Sequence, residues 1–289
     1  MRCEGRACVW VSRSGWGSLI AAPLGRAIER ASGMAATTAE SLRGQVSEVE
    51  WRLRQELAAA YRAFAHWGWD DLIFTHLSAR IPGSEHHFLL NPYDLGFDEI
   101  TASNLVKVDR QGKPVLPTTH PTNPAGFIIH SALHMAREDA QCVMHLHTIT
   151  GQAVSAQAGG LLPICQTAMV AMAGGVAYHE YEGIATDAAE RERLISDMGN
   201  ARVMMLRNHG TLAVGQSVGD AFVGMYFLER ACQVQIAAMA GLAQLHPAPA
   251  AAIERTAQQA SGGLGSVADR LVWPAVQRKM GRLYPDLLT

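Results

Sequence analysis

The chain has 289 residues, 24 basic against 26 acidic side chains for a formal net charge of −2, 48% hydrophobic residues and 17% charged ones. That length can bury a large core, and the balanced charge supplies no overall basic field for nucleic acid or anionic lipid. The apolar content is too high for a disordered chain, yet no apolar run reaches the roughly 20 residues that span a bilayer: Leu161 to Ala173 is broken by Pro163, Gln166 and Thr167.

In the first 33 residues, Arg2, Arg6, Arg13, Arg26 and Arg30 are scattered among Gly, Ser and Trp without helical or alternating periodicity. The Leu19 to Leu24 stretch is short and carries a proline, a poor secretory h-region, and Met34-Ala-Ala-Thr-Thr reads as the biological start, with a basic targeting peptide as the alternative. Residues 1–45 are expected to be a disordered extension, 46–241 a single domain, and 242–289 a C-terminal extension with a terminal helix. Order is expected from Ser47, where S-x-x-E with Glu50 spells a capping box ahead of Val49, Leu53, Leu57, Tyr61 and Phe64, one amphipathic helix ending at Gly68. Short β-like runs follow at Leu72 to Phe74, Ser78 to Ile81, Phe88 to Leu90 and Leu105 to Val108, with turns at Pro82-Gly83 and Gln111-Gly112.

From Phe127 the pattern gives a helix to about Arg137, a strand Cys142 to His147, a helix Thr150 to Ala158 and a helix Thr186 to Met198. Strands Val203 to Leu206 and Thr211 to Val214 follow, then a long helix Val218 to Met239 with an apolar stripe. The whole is predicted to be an α/β sandwich with a mainly antiparallel sheet. The tail after Pro247 is rich in Ala, Gly and Pro until an amphipathic end at Leu271 to Tyr284. The five cysteines (3, 8, 142, 165, 232) form no CxxC pair and read as small core residues of a cytoplasmic protein. Gly159-Gly160 and Gly174-Gly175 read as turns, without the spacing of a nucleotide-binding loop.

Two of the histidine contexts carry chemistry. In Cys142-Val-Met-His145-Leu-His147-Thr, the imidazoles stand two apart on a strand and therefore share a face. Arg207-Asn-His209-Gly210 puts a third at a strand end closed by glycine, where a rigid scaffold presents functional groups. Three neutral nitrogen ligands with an open position suit zinc, manganese or iron(II).

These runs, together with Phe74-Thr-His-Leu-Ser-Ala-Arg80, His130-Ser-Ala-Leu-His134 and Tyr178-His-Glu-Tyr-Glu-Gly183, resemble the class II aldolase/adducin family, in its bacterial adducin-like branch, from about Val49 to Ala240. The resemblance implies a three-layer α/β/α sandwich, a homotetramer, and a divalent metal held by His145, His147 and His209. It also shows departures. Where the family's sugar-phosphate aldolases carry a catalytic glutamate, four residues before His130, this chain has Gly126. At the positions of their phosphate cradle it has Thr75-His76, Tyr93-Asp94 and Pro124-Ala125, with a carboxylate that repels phosphate and a proline without an N–H.

These features predict a cytoplasmic metal-dependent lyase for a small, non-phosphorylated oxo- or hydroxy-acid, cleaving by aldol chemistry or decarboxylation; a noncatalytic adducin-like interaction module is the alternative. Neither nucleic acid nor membrane is an expected partner. Candidate proton-transfer groups are His130, Tyr178, His179 and Tyr181, with His130 foremost because it lies one helical turn beyond Gly126. His76 and Ser78 are expected to orient an anionic substrate group and Arg80 to pair with a carboxylate. His86 and His87, facing opposite ways, read as surface residues.

Overall fold

A computed structural model describes residues 42–83, 85–183, 189–241, 244–261 and 267–289, leaving out the side chains of residues 124, 125 and 128. The expected disordered extension therefore falls almost wholly outside the described residues. From residue 42 on, the described residues belong to one compact unit.

Helix α1 (Glu48–His66) starts at Ser47, whose hydroxyl accepts from the Glu50 N–H at 3.1 Å. The predicted capping box is only half made. Instead of returning to the cap, the Glu50 carboxylate accepts from Arg54 Nε at 3.0 Å and from Lys107 Nζ at 2.8 Å. Arg54 is fully buried and also donates to the Ala102 and Leu105 carbonyls at 3.2 and 2.8 Å, so the charge is neutralised within the fold.

The seven strands are β1 (His76–Arg80), β2 (Phe88–Leu90), β3 (Val106–Val108), β4 (Cys142–Leu146), β5 (Val176–His179), β6 (Val203–Leu206) and β7 (Gly210–Gly215). They form one sheet in the order β3-β2-β1-β4-β7-β6-β5, antiparallel except for the β5–β6 pair. Between strands lie α2 (Pro124–Ala136), α3 (Ile149–Ser155), α4 (Gln166–Ala171) and α5 (Glu190–Met198); α6 (Val218–Met239), α7 (Ala250–Ser261) and α8 (Trp273–Leu283) follow the sheet. The predicted strand at Leu72 to Phe74 is a turn instead, with Leu72 at φ 52°, a left-handed conformation that a strand cannot contain.

Side-chain alternation sorts the strands onto two faces. Leu77, Ala79, Met144, Leu146, Met205 and Ala213 join α1 and α6 in the larger core. Val143, Met204, Leu206, Leu212 and Val214 join Ile129 and Leu133 of α2 and Leu194 and Met198 of α5 in a second one. The result is the expected three-layer sandwich. The C-terminal helix and the 3-10 turn after it (Pro285–Leu288) pack onto it, since Trp273 and Met280 of the helix and Leu287 of the turn are buried in the larger core. Burying a residue such as Met280 or Leu287 is worth about 1.5–3 kcal/mol relative to exposure. Among the described residues, no helix is long and apolar enough to cross a membrane. Cys142 and Cys232 are buried core residues, while Cys165 is half-buried and its Sγ accepts from the Ala168 N–H at 3.4 Å, capping α4.

Candidate metal centre

His76 of β1 and His145 of β4 are direct partners across an antiparallel pair, so both point to the face covered by α2 and α5. The register is pinned from the opposite face, where the Tyr61 hydroxyl accepts from the Leu77 N–H at 2.7 Å. His147 follows the end of β4 on the same side as His145. His209 enters from the β6–β7 turn, which Asn208 makes in the left-handed conformation at φ 55°. Gly210 is required there because a Cβ would lie 2.4 Å from the Leu146 carbonyl oxygen. The Asn-His-Gly run is therefore a geometric device that seats an imidazole against the end of β4.

The rings of His145, His147 and His209 converge, with centroids 4.6–4.8 Å apart and one nitrogen from each within 4.8 Å of the others. Their acceptors set the tautomers. His145 Nδ1 donates to the Thr211 carbonyl at 2.9 Å, and His147 Nδ1 donates to Asp71 Oδ2 at 3.0 Å. Both Nε2 atoms are then left as lone pairs in the neutral rings, facing each other at 2.9 Å. Two converging lone pairs are complementary to a cation, and carboxylate or carbonyl acceptors behind ligating imidazoles are the usual support for a metal. Burial, reinforced by neighbouring imidazoles, pushes His209 down to about 4 and His145 well below the ordinary range, keeping both rings neutral and available as ligands. The residues thus fit a divalent ion.

Beside this cluster runs a buried array. His76 Nδ1 meets His130 Nε2 at 2.7 Å, His130 Nδ1 meets Ser78 Oγ at 2.5 Å, Ser78 Oγ meets His134 Nε2 at 2.7 Å, and His134 Nδ1 meets the Ala140 carbonyl at 2.6 Å. His130 and His134 stand four apart on α2 and so share the face turned to β1. The His76 and His145 rings are 5.2 Å apart, whereas His130 lies behind His76. Gly126 explains how His76 fits: a Cβ at 126 would lie 2.5 Å from His76 Cδ2 and 2.7 Å from Nε2. The imidazole occupies the space that any side chain at 126 would need.

On the far side of the sheet, below the cluster, is a carboxyl that sequence reasoning missed. Glu229 of α6 is fully buried and accepts hydrogen bonds from the hydroxyls of Thr148 and Thr211. Burial pushes its carboxyl up to about 7 against the two hydroxyl donors. Thr148 follows His147, and the Thr211 carbonyl holds His145, so Glu229 tethers the backbone beside both imidazoles.

The remaining candidates separate by face. Tyr178 requires correction as a proton-transfer group: it packs with the larger core, accepts from the Leu161 N–H at 3.1 Å and lies under the Arg207 guanidinium at 4.3 Å. It therefore points to the opposite side of the sheet from His145. His179, one residue on, faces the cluster side, with Nδ1 2.7 Å from Asp197 Oδ2 and Nε2 3.5 Å from Glu190 Oε1. Tyr181 is exposed at the rim, its ring 6.3 Å from that of His209. His130 is foremost in sequence position but is only 1% exposed, and it lies behind His76.

Arg80 makes no ion pair among the described residues; its Nε is buried without a partner, and burial lowers its pKa against the opposing charge of Glu138. His86 and His87 are half-buried, with His87 Nδ1 3.2 Å from Glu85. Asp94 is not a free carboxylate, since the His120 ring contacts its two oxygens at 2.9 and 3.1 Å.

Residues 55–236 match the family described as the class II aldolase and adducin N-terminal domain. A Caulobacter vibrioides protein described as "Putative aldolase class 2 protein" is 52% identical over 246 residues, 85% of this chain and 95% of its own. Alpha-adducin of Rattus norvegicus is 42% identical over 229 residues, 76% of this chain but 31% of the adducin. Among solved structures, an aldolase II superfamily protein from Pseudomonas syringae superposes with a TM-score of 0.82 at 51% identity, covering 86% of this chain and all of the other. An L-fuculose 1-phosphate aldolase from Glaciozyma antarctica gives 0.71 at 28% identity, covering 88% and 96% respectively.

Proposed function

Because the chain belongs to the class II aldolase and adducin family, we propose that it is a divalent-metal-dependent carbon–carbon lyase for a small, non-phosphorylated oxo- or hydroxy-acid. The observation that carries this reading is the convergence of three imidazoles, of which His145 and His147 are held at their outer nitrogens by the Thr211 carbonyl and Asp71, so that their Nε2 atoms turn inward. An ion held by His145, His147 and His209 would supply Lewis-acid stabilisation of the enolate left after C–C cleavage or loss of carbon dioxide. Zinc suits this donor set best, and manganese or iron(II) would be accepted.

The chain's own residues supply orientation and proton handling. His76 stands beside the ligands where the family's carboxylate is missing; His130 holds its ring from behind, and Ser78 in turn holds His130. His179, clamped by Asp197 and Glu190 next to His209, is the second group placed to move a proton. The choice against phosphate rests on the loss of glycine, serine and asparagine donors at the cradle positions: each charge-assisted hydrogen bond forgone is worth roughly 1.5–3 kcal/mol. The Asp94–His120 pairing moderates the repulsion expected of a bare carboxylate at that place. We place the enzyme in the cytoplasm as a homotetramer, for which light scattering at micromolar protein is the check.

The test is a paired screen of metal-loaded protein against sugar phosphates and against oxo- and hydroxy-acids, following aldehyde and carbon dioxide release. Turnover confined to the acids is expected. Efficient cleavage of a sugar phosphate would overturn the substrate assignment. Inactivity of fully metallated protein toward both sets would favour a noncatalytic module, the reading that the likeness to alpha-adducin supports.

A further inference from the structure

The buried array beside the cluster has a direction, and hydrogen-bond arithmetic fixes it. At its inner end the Ala140 carbonyl can only accept, so His134 Nδ1 carries the proton and its Nε2 is a lone pair. The Ser78 hydroxyl must therefore give its single proton to His134 Nε2. Its oxygen is then the acceptor for His130 Nδ1–H, which leaves His130 Nε2 as a lone pair. That lone pair is filled by His76 Nδ1–H. The last ring is left with an unprotonated Nε2, the corner beside Gly126, and this nitrogen has no hydrogen-bond partner among the described residues. All three rings are buried, at 4% exposure or less, which favours their neutral forms.

We propose that one backbone carbonyl, acting through His134, Ser78 and His130, locks His76 as an obligate hydrogen-bond acceptor at the metal centre, and that this acceptor selects hydroxy-acids over the matching oxo-acids. The selection follows from what each substrate offers. A hydroxyl donates to His76 Nε2, whereas a carbonyl oxygen brings a second lone pair against the first and leaves a buried acceptor unpaired. His76 is the specificity-determining group; Ser78, His130 and His134 act through it as positioning residues. Gly126 belongs to the same device, because any Cβ there would displace the ring. The substrate part of the inference rests on the lyase reading above, while the tautomer assignment does not.

Two measurements on the full chain separate them. Nitrogen-15 NMR of the metal-free protein, labelled in its histidines, reports which nitrogen of each ring carries the proton. The expected pattern is Nδ1–H in His76, His130 and His134 alike; an Nε2–H signal for His76 overturns the inference and leaves the lyase reading intact. The second measurement is the affinity of zinc-loaded protein for lactate against pyruvate and for 2-hydroxyglutarate against 2-oxoglutarate. The hydroxy-acid of each pair is expected to bind at least about tenfold more tightly. Ser78→Ala, which interrupts the array, and His76→Asn, whose amide can also donate, should both bring the ratio toward unity without releasing the ion. Equal affinities in the unmodified protein, or a ratio that survives both substitutions, would refute the selection. Failure of either acid series to bind at all would count against the lyase reading and the selection together, with the NMR result standing alone.

Discussion

Glu229→Gln isolates the buried carboxyl under the cluster. A rise from 4.5 to about 7 means that the folded protein retains a proton on Glu229 over a range in which the unfolded chain has already released it. At about 1.4 kcal/mol per pH unit this amounts to about 3 kcal/mol. The sign follows from linkage: below pH 4.5 both states are protonated and the stability is fully present, it falls as pH rises toward 7, and above 7 it is gone. Glutamine is neutral at every pH and can accept from one threonine hydroxyl while donating to the other, as the protonated acid does. The variant should therefore lose stability less steeply between pH 5 and 8, gaining up to about 3 kcal/mol relative to the parent across that interval. Urea unfolding at matched pH, with metal removed from both proteins, reads the difference, and the depressed histidines contribute equally to each curve. Parallel stability profiles would show that Glu229 ionises normally and that its burial has been misjudged.

Three further outcomes follow from the centre and its frame. His145→Ala, His147→Ala and His209→Ala should each abolish stoichiometric metal in purified protein, and pairs should be no worse than singles, because one loss already breaks the site; a double variant that keeps its ion disproves the ligand set. Asp71→Asn leaves all three ligands in place but weakens the hold on His147 Nδ1, so metal affinity by competition with a chelator should drop 10–100-fold, roughly. An unchanged affinity would remove Asp71 from the site. Arg54→Ala strands the Glu50 charge beneath α1 and should cost about 3–5 kcal/mol in urea unfolding, whereas a loss under about 1 kcal/mol would mean that Lys107 suffices as the counter-charge.

Local patterns in the chain reached some of this and not the rest. Helix α6 has the bounds its apolar stripe predicts, and β6 runs from Val203 to Leu206 as read, because long periodic segments and apolar runs declare themselves. Strand β5 went unread: four residues after a Gly-Gly turn, with Tyr178 and His179 on opposite faces, carry too short a pattern. Helix α4 is six residues long and capped by a cysteine, which gives no ordinary start signal. His145 and His147 were legible because a two-residue spacing on a strand fixes their common face. Asp71 and Glu229 were not, since they meet His147 and Thr148 across 76 and 81 residues of chain, and only the folded sheet brings them together. Tyr178 drew attention through its neighbourhood in sequence, and strand alternation then sent it to the wrong face.

The tight fit of His76 against Gly126 also limits how this sequence can change over generations. A mutation that places any larger residue at 126 while histidine stands at 76 drives a Cβ to within 2.5 Å of the ring, so the ring must leave its place in the array before the newcomer fits. The reverse order is open, because shrinking residue 76 first leaves room at 126. A carboxylate at 126 is therefore accommodated more readily after the histidine at 76 has been replaced than before. The contact makes the two exchanges easier in one order than in the other.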